Sequence, residues 1–194
     1  MTFTRLKHMA MMSLLRSDAK RTKYFRKHKV FANIGDNVHI QSRFIPLYSE
    51  LISFHNNIIV GRGVEFVTHD VIHAVLNRMD RGIYSDHRFK ESIGCIEIED
   101  NCFIGANTII LGGVRIRKNC IIAAGSVVTK DCESDSLYAG VPARRICSLD
   151  DYMKKRIDLE QKGLAATTSH NQQLTDEEIA MAWEIFNKQH NAAQ

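Results

Sequence analysis

The sequence is poor in proline and tryptophan, and it has no long hydrophobic run. It holds 2 prolines and one tryptophan among 194 residues. No apolar stretch approaches the roughly 20 residues that a transmembrane helix needs, which argues against a membrane-spanning chain. The N-terminal residues also lack the apolar segment of a secretory signal peptide. We therefore expect the protein to act in the cytoplasm.

The cysteines show no pattern that suggests a disulfide framework. There are five, and no two of them form a CxxC pair. Cys102, Cys120 and Cys132 instead recur at the small position of a sequence repeat, where a thiol serves as a compact apolar filler. Free thiols are typical of a reducing compartment, which agrees with a cytoplasmic location.

Positive charge is concentrated near the N-terminus. Residues 5–29 contain nine lysines and arginines but only one acid, Asp18. One interpretation is a basic helix that makes weak contact with an anionic membrane surface or an anionic polymer. The other, which we favour, is a helix that packs beside the rest of the fold and exposes a solvated basic face. No aromatic interleaving or known module accompanies the charge, so we do not expect nucleic-acid binding.

A six-residue repeat dominates the second half of the chain. The first column is aliphatic and consists of Ile98, Ile104, Ile110, Ile116, Ile122 and Val128. The column four residues later is compact and consists of Cys102, Thr108, Val114, Cys120, Ser126 and Cys132. The residues just before it are Asn101, Asn107, Gly113, Asn119, Gly125 and Asp131, which are types that tolerate a left-handed backbone. The chain is therefore expected to turn a corner once in every six residues.

Regular corners joined by short strands predict an all-β solenoid with parallel strands, whose aliphatic column points inward. An antiparallel β-protein with accidental spacing is the alternative, but agreement among three columns argues against it. Weaker repeats extend upstream, with corners expected at Asn37, Asn57 and Gly63. A further corner is expected at Arg43, with Phe44 in the compact position. The register slips at 46–53 and 70–97, which indicates insertions.

The repeat divides the chain into three parts. Residues 1–30 form a basic N-terminal helical segment, and residues 31–147 form the solenoid with an inserted loop at 70–95. Residues 148–194 form a C-terminal helical extension of two helices, the second beginning at a capping box of Thr175 and Glu178. Residues 165–173 are small and polar and are interpreted as a linker between these helices. The terminal helices are expected to cover the open ends of the coil, with partner binding as the alternative.

Three further segments give the chain a family resemblance. Val-Thr-His-Asp at 67–70 precedes the insertion, the last clean repeats span 122–131, and the chain leaves the coil through Ala-Gly-Val-Pro-Ala-Arg at 139–144. With the hexads, this order resembles the hexapeptide-repeat acyltransferases, closest to the galactoside, maltose and sugar O-acetyltransferase branch, over residues 31–147. The resemblance implies a left-handed parallel β-helix, a homotrimer and direct acetyl transfer from acetyl-CoA. The helices at either end match nothing in that pattern.

The resemblance implies that His69 is the general base. Histidine suits this role because its pKa lies near neutrality and it can take a proton from an attacking hydroxyl. Asp70 is adjacent and is one candidate for orienting the imidazole. In the inserted loop, Tyr84 is a candidate for stacking on a sugar acceptor, although a solvated loop is an equal alternative.

The resemblance also implies a set of cofactor contacts. Its members are residues at matching positions of the coil and its exit, namely Ala106, Ala124, Thr129, Lys130 and Arg144. The two alanines would let a pantetheine arm lie flat, and the cations suit the phosphates of CoA. Arg145 is a less defined candidate. Phe103 either walls the thiol channel or packs outside the coil.

These features predict an acetyl-CoA-dependent O-acetyltransferase acting on a sugar or glycan precursor, in a role such as polysaccharide biosynthesis. Alternatives on the same fold are an antibiotic (xenobiotic) acetyltransferase, an amino-sugar N-acetyltransferase and a non-catalytic solenoid scaffold. A zinc hydratase would need three histidines from neighbouring coils, whereas residues 96–132 contain no histidine. No metal site is therefore predicted.

Overall fold

The computed structural model describes residues 3–80, 82–168 and 173–191. It divides into two compact units, Met1–Leu149 and Asp150–Gln194. The strands of the first unit are β1 (Asn33–Ile34), β2 (Val38–Ile40), β3 (Ile52–Phe54), β4 (Ile58–Val60), β5 (Glu65–Val67), β6 (His69–Asp70), β7 (Ser92–Ile93), β8 (Ile96–Ile98), β9 (Cys102–Ile104), β10 (Ile109–Leu111), β11 (Val114–Ile116), β12 (Cys120–Ile122), β13 (Val127–Val128), β14 (Ser136–Ala139) and β15 (Arg144–Ser148).

Most of these strands form three parallel sheets. Sheet I has the order β1-β3-β8-β11, sheet II has the order β2-β4-β9-β12-β14 with β15 added antiparallel, and sheet III has the order β5-β10-β13. In the regular region each strand pairs with the third strand after it, so that partners such as Ile96 and Val114 are 18 residues apart. The chain therefore winds as a three-sided coil, as the six-residue period predicts.

The aliphatic column fills the centre of the coil. Ile98, Ile104, Ile110, Ile116 and Ile122 are each 0 % exposed. Burying one such side chain contributes roughly 1.5–3 kcal/mol. Because three hexads complete one turn, each residue of the column stacks on its equivalent in the next coil. The prediction of an inward-facing column is confirmed.

One corner of the coil carries a ladder of side-chain amides. Asn37, Asn57, Asn101 and Asn119 all have left-handed φ values, between 52° and 60°. Each donates a side-chain hydrogen bond to the next coil, for example from Asn101 Nδ2 to Asn119 Oδ1 over 2.9 Å. The ladder ends at Asp135, which accepts from Asn119 over 2.7 Å. Asparagine thus supplies both the backbone conformation and a contact between coils.

The last predicted corner is misplaced. Asp131 is not left-handed, and the corner is instead Asp135 with φ 56°. The final coil is two residues shorter than the others, because Cys120 pairs with Ser136, only 16 residues later. Cys132 consequently bridges to Ile116. The carboxylate of Asp131 accepts from the backbone N–H of Arg115 over 2.8 Å, which joins the shortened segment to the coil below it.

The predicted corner at Arg43 is also wrong. Neither Arg43 nor Phe44 is left-handed, and Phe44 is 49 % exposed, with the Arg5 guanidinium 5.8 Å above its ring. A phenylalanine is too large for a compact corner position, so Ile45 enters the core in its place at 1 % exposure. The left-handed residue of this segment is Tyr48, with φ 53°, at the start of a 3-10 turn.

Two helices precede the coil, α1 (Phe3–Leu14) and α2 (Asp18–Lys27). Met12 and Phe25 are buried in the same core as the coil, and Phe25 meets Phe31 edge to face. Arg21 is buried as well, and its guanidinium donates to the carbonyls of Leu15, Arg16 and Gln41. Met12 and Phe25 therefore pack on the core, whereas Leu6 and Leu14 are exposed and most of the cations of these helices face solvent.

The insertion is an ordered excursion with a narrow neck. Strands β6 and β7 pair antiparallel, which sets His69 opposite Ile93. Between them lie α3 (Ile72–Leu76) and a 3-10 turn (Gly82–Tyr84). The side chain of Asn77 closes the inner part by donating to the Phe89 carbonyl and accepting from its N–H, over 2.8 and 3.0 Å.

The second unit consists mainly of α4 (Leu149–Gln161), whose first residue belongs to the first unit, and α5 (Asp176–Asn191). The capping box is confirmed: the Thr175 N–H donates to the Glu178 carboxylate, and the Glu178 N–H donates to the Thr175 hydroxyl. Part of the predicted linker at 165–173 lies outside the described residues. Across the described ranges, no helix is long and apolar enough to cross a membrane.

Candidate active site

His69 stands where the regular coil gives way to the insertion. It follows β5 on the third side of the coil and begins β6. The preceding residue, Thr68, is buried, and its hydroxyl donates to the Leu47 carbonyl over 2.7 Å. The Thr68 carbonyl accepts from the Gly94 N–H over 2.8 Å, on the returning arm of the insertion. The backbone at His69 is therefore held from both sides.

A cleft of about 270 Å³ opens beside His69. It is lined by the neck of the insertion and by the next turn of the coil, namely Val67, Thr68, His69, Asp70, Ser92, Ile93, Gly94, Leu111, Gly112 and Gly113. A side chain at Gly94 would collide with the next turn, because its Cβ would lie 2.6 Å from the Gly113 nitrogen. This volume is just below the usual range for sites that enclose a whole ligand, so the cleft suits the reacting end of a substrate.

The imidazole has no hydrogen-bonded orienting group among the described residues. Its Nδ1 is buried and has no partner there, a property shared by Nδ1 of His73 on α3. Asp70, the adjacent candidate, instead accepts from the Ile72 N–H over 3.0 Å at the start of α3. Because Nδ1 is buried, Nε2 is the nitrogen of His69 that can meet a substrate.

An aromatic ring packs against the imidazole. The ring of Tyr48 lies edge to face with His69, with centroids 5.3 Å apart and an interplanar angle of 85°. The Tyr48 hydroxyl donates to both carboxylate oxygens of Glu91, over 3.3 and 3.4 Å. The negative charge of Glu91 raises the pKa of Tyr48 above its ordinary value, because it disfavours a second negative charge nearby. Sequence reasoning missed both residues, and the signals were the breaks in register at 46–53, which contains Tyr48, and at 70–97, which contains Glu91.

The two predicted alanines lie together. Ala106 and Ala124 occupy the same corner in successive coils, between sheets II and III, and the Gly125 N–H donates to the Ala106 carbonyl over 2.8 Å. Arg144 is exposed and pairs with Ala139, where the chain reaches this corner in the following coil. Three of the five cofactor candidates therefore follow one corner.

The other two cofactor candidates lie at the opposite end of sheet III. Thr129 and Lys130 are exposed and directly follow β13, on the same corner as His69. Strand β13 is separated from β5 only by β10, so the two corner positions are about 10 Å apart at ordinary strand spacing. The structure thus divides the cofactor candidates between the two ends of sheet III.

Three remaining candidates are less closely tied to His69. Tyr84 lies in the outer part of the insertion at 63 % exposure, and no contact joins it to His69 among the described residues. Arg145 donates through Nε to the Ser136 hydroxyl over 2.9 Å. Phe103 lies on the outer face of sheet II between Ile59 and Ile121, outside the coil.

Metal ligands are not grouped at this site. Within the described ranges, no three His, Cys, Asp or Glu side chains are placed so that they could hold a metal ion.

Comparison with known proteins places the repeat in a recognised class. Residues 96–130 match the hexapeptide repeat of succinyl-transferase. A 2,3,4,5-tetrahydropyridine-2,6-dicarboxylate N-acetyltransferase of Clostridium perfringens is 46% identical over 65 residues, which are 34% of this chain and 27% of that protein. Protein CapG of Staphylococcus aureus is 38% identical over 108 residues, 56% of this chain and 59% of that protein. The chain thus spans from about a quarter to three fifths of the length of these relatives.

A solved structure shares the fold. The structure of a galactoside acetyltransferase in complex with coenzyme A superposes with a TM-score of 0.52 at 23% identity, covering 77% of this chain and 82% of that one. The resemblance to hexapeptide-repeat acetyltransferases that the sequence indicated is therefore confirmed, and the repeat motif itself is carried by residues 96–130.

Proposed function

We propose that this protein is an acetyltransferase that moves an acetyl group directly from acetyl-CoA to a hydroxyl of a sugar or glycan precursor, with His69 as general base. The observation that carries the proposal is the placement of His69 beside the cleft, on a backbone held from both sides, with Nδ1 buried so that Nε2 is the nitrogen left to meet a substrate. The named acetyltransferases among the similar proteins support the reaction class.

The reaction needs one proton acceptor and an exposed thioester. Neutral His69 takes the proton of the acceptor hydroxyl through Nε2 while the oxygen attacks the thioester carbonyl. The new C–O bond forms, the C–S bond breaks, and the CoA thiolate leaves and takes up the proton. A positioned base of this kind contributes roughly 10²–10⁴-fold to the rate.

The cleft wall contributes rigidity. The N–H groups of Gly94, Gly112 and Gly113 are all occupied, since they donate to the carbonyls of Thr68, Val67 and Cys95. These glycines therefore leave space for a substrate close to the backbone without being free to stabilise an oxyanion. A donor for the thioester oxygen has to come from elsewhere in the complex.

In this proposal acetyl-CoA lies along the corner formed by Ala106 and Ala124, where small side chains leave a shallow surface. Arg144 lies further along the same corner and suits a phosphate group. Thr129 and Lys130 would contact the cofactor from the other end of sheet III.

An N-acetyltransferase is the second candidate. The specific observation in its favour is the 46% identity to an N-acetyltransferase over 65 residues. An amino sugar or an amine-bearing antibiotic would need the same proton removal by His69. The base therefore does not distinguish a nitrogen from an oxygen acceptor, and in this proposal the insertion selects the acceptor. A scaffold without activity is the remaining alternative.

The proposal includes a homotrimer of left-handed β-helices. Its support in one chain is an apolar stripe on the outer face of sheet II, formed by Ile59, Phe103, Ile121 and Leu137 in register. Ile59 and Phe103 are both more than 40% exposed in the single chain, at 42 % and 43 %. Exposed apolar patches of this kind are typical of association surfaces. Sedimentation velocity tests the trimer, and a monomer would contradict it.

We also place the protein in the cytoplasm, where its free cysteines would stay reduced. Weak contact between residues 5–29 and an anionic membrane would use the exposed cations of this segment, with Leu6 and Leu14 as its exposed apolar residues. Flotation with anionic vesicles, compared with neutral vesicles, tests that contact.

The experiment for the proposed function is thiol release from acetyl-CoA across a panel of sugars, nucleotide sugars, amino sugars and aminoglycosides. His69→Asn is the test variant, and His190→Asn, on α5 in the second unit, is the matched control. Release that requires one acceptor, is retained in the control and collapses in His69→Asn supports the proposal. Failure to bind acetyl-CoA in calorimetry would favour the scaffold.

A further inference from the structure

The imidazole ring of His69 needs a contact that holds its orientation if it is to act as the proposed general base. A general base works only if its ring is held in a productive plane, and another group usually holds it by a hydrogen bond. Here Nδ1 is buried without a partner among the described residues, and Asp70 is engaged at Ile72. The β6–β7 pairing holds the His69 backbone but not the rotation of its side chain.

In the part of the chain that the structure describes, the ring of Tyr48 packs against the imidazole. The edge-to-face geometry, at 5.3 Å and 85°, is the arrangement that aromatic rings prefer. It restricts rotation of the imidazole through packing, which a hydrogen bond to Nδ1 would otherwise do.

Tyr48 is itself held at both its backbone and its hydroxyl. Its backbone is left-handed, with φ 53° and ψ 43°, a conformation that a bulky residue rarely adopts. The neighbouring carbonyl of Leu47 accepts from Thr68, the residue directly before His69. At the other end of the side chain, the hydroxyl donates to Glu91, which directly precedes β7. Both attachments lead back to the neck of the insertion that carries His69.

We propose that Tyr48, held by Glu91, is a positioning residue for the His69 imidazole. Three segments of the chain meet at this point. Tyr48 comes from the irregular segment at 46–53, His69 from the start of the insertion and Glu91 from its end. The break in the repeat at 46–53 is what allows a tyrosine here, because a regular hexad accommodates only a compact residue at the corner. The inference rests on the proposed function for its catalytic meaning but not for its geometry.

The first test observes the imidazole directly by NMR of histidine-labelled protein. The His69 signal is identified by its loss in His69→Asn. Tyr48→Leu is expected to remove the ring-current shift of that signal and to broaden it, whereas Tyr48→Phe keeps the ring and most of the shift. Tyr152→Leu, in α4 of the second unit, is the matched control and should leave the signal unchanged. An unchanged His69 signal in Tyr48→Leu would overturn the proposal.

The second test follows turnover. Tyr48→Leu is expected to lower kcat by about tenfold or more, since small misplacements of a catalytic group carry costs of that size. KM for acetyl-CoA should stay within about twofold, because the imidazole and not the cofactor surface has changed. A rise in that KM with normal kcat would instead make Tyr48 part of the cofactor site and contradict the positioning role.

A double-mutant cycle separates the two parts of the arrangement. Glu91→Ala should lower kcat modestly in the wild-type background and have no further effect in Tyr48→Phe, because Glu91 then has no hydroxyl to hold. An equal effect in both backgrounds would show that Glu91 acts on the site without Tyr48.

If Tyr48→Leu fails to fold, Tyr48→Phe and Glu91→Ala still decide whether Tyr48 positions the imidazole. If wild-type protein transfers acetyl to no acceptor, the NMR result stands alone, and the two proposals fail or survive separately.

Discussion

The regular coil at 96–128 and the two interrupted segments, 41–51 and 70–95, follow opposite rules. In the coil, every inward position is aliphatic or compact and the corner amides bond to each other. In and beside the interruptions lie a left-handed tyrosine, a cleft, and a buried imidazole nitrogen that has no partner within the described ranges. The repeat thus supplies a rigid support, while the segments that depart from it supply the groups able to do chemistry.

The difference has a physical basis. A hexad leaves room for a compact residue at each corner, so a large reactive side chain enters only where the repeat is broken. Phe44 shows this on a small scale, because it leaves the corner and Ile45 takes the interior. Loss of regularity costs packing, but it frees the backbone to aim individual side chains.

The largest effect is expected on catalysis, from a substitution in the interrupted region that leaves the stability of the fold unchanged. His69→Asn is expected to lower kcat/KM by roughly 10²–10⁴-fold, because it removes the proton acceptor while leaving a polar side chain at this position. Its melting temperature should stay near that of wild type, since His69 Nδ1 makes no hydrogen bond among the described residues. Steady-state kinetics measure the loss of kcat/KM, and calorimetry measures the melting temperature. Activity above a tenth of wild type would contradict the assignment.

The regular coil should show the reverse pattern. Ile104→Ala removes a fully buried side chain at the centre and is expected to cost about 2–5 kcal/mol of unfolding free energy. Transfer activity per folded molecule should be nearly unchanged at low temperature. Denaturant unfolding measures the loss, with Ile83→Ala, 90 % exposed in the insertion, as the control. A loss of less than about 1 kcal/mol would mean that the coil interior is not the main support.

The corner ladder offers a smaller test within the coil. Asn101→Ala places alanine at φ 59° and breaks the bonds to Asn57 and Asn119. We expect a loss of about 2–3 kcal/mol, from backbone strain and two hydrogen bonds. Asn101→Gly keeps the left-handed backbone at no steric cost, so it should lose less. Equal losses of unfolding free energy in the two variants, measured in urea, would show that the amide contacts and not the backbone conformation stabilise the corner.

The smallest effect concerns the polar outer face of sheet I. The hydrogen bond from His55, followed by that from Arg115, lowers the pKa of Glu97. A lowered folded-state pKa means that the stabilisation is present at neutral pH and fades as pH falls below the ordinary glutamate value of about 4.3. Because the groups are partly exposed, we expect less than about 1 kcal/mol. Thermal unfolding of Glu97→Gln at pH 7 and pH 3 checks this, and an equal difference from wild type at both pH values would exclude the linkage.

Much of the fold could be predicted from the residues alone. The aliphatic column and the corners at Asn57, Gly63 and Asn101 follow from local rules of burial and backbone conformation that act within six residues. The corners at Arg43 and Asp131 were mispredicted because the chain enters and leaves the coil there, and neighbouring coils no longer set the spacing.

The candidate site was predictable only in part. His69 could be selected because a recognisable segment precedes the insertion. Its cofactor candidates remain predictions, which the structure divides between the two ends of sheet III. Tyr48 and Glu91 carried no motif, since their importance depends on which residues they meet in space.

The sequence by itself determined the coil, because a six-residue period specifies corner, strand and inward side chain in the same short window. Only the tertiary structure decided what surrounds the candidate base. Tyr48, His69 and Glu91 are each more than 20 residues apart along the chain, and they meet because one coil stacks on the next and the insertion returns to its own starting point. No local pattern encodes such a meeting, since it depends on how many residues each interruption adds to the path.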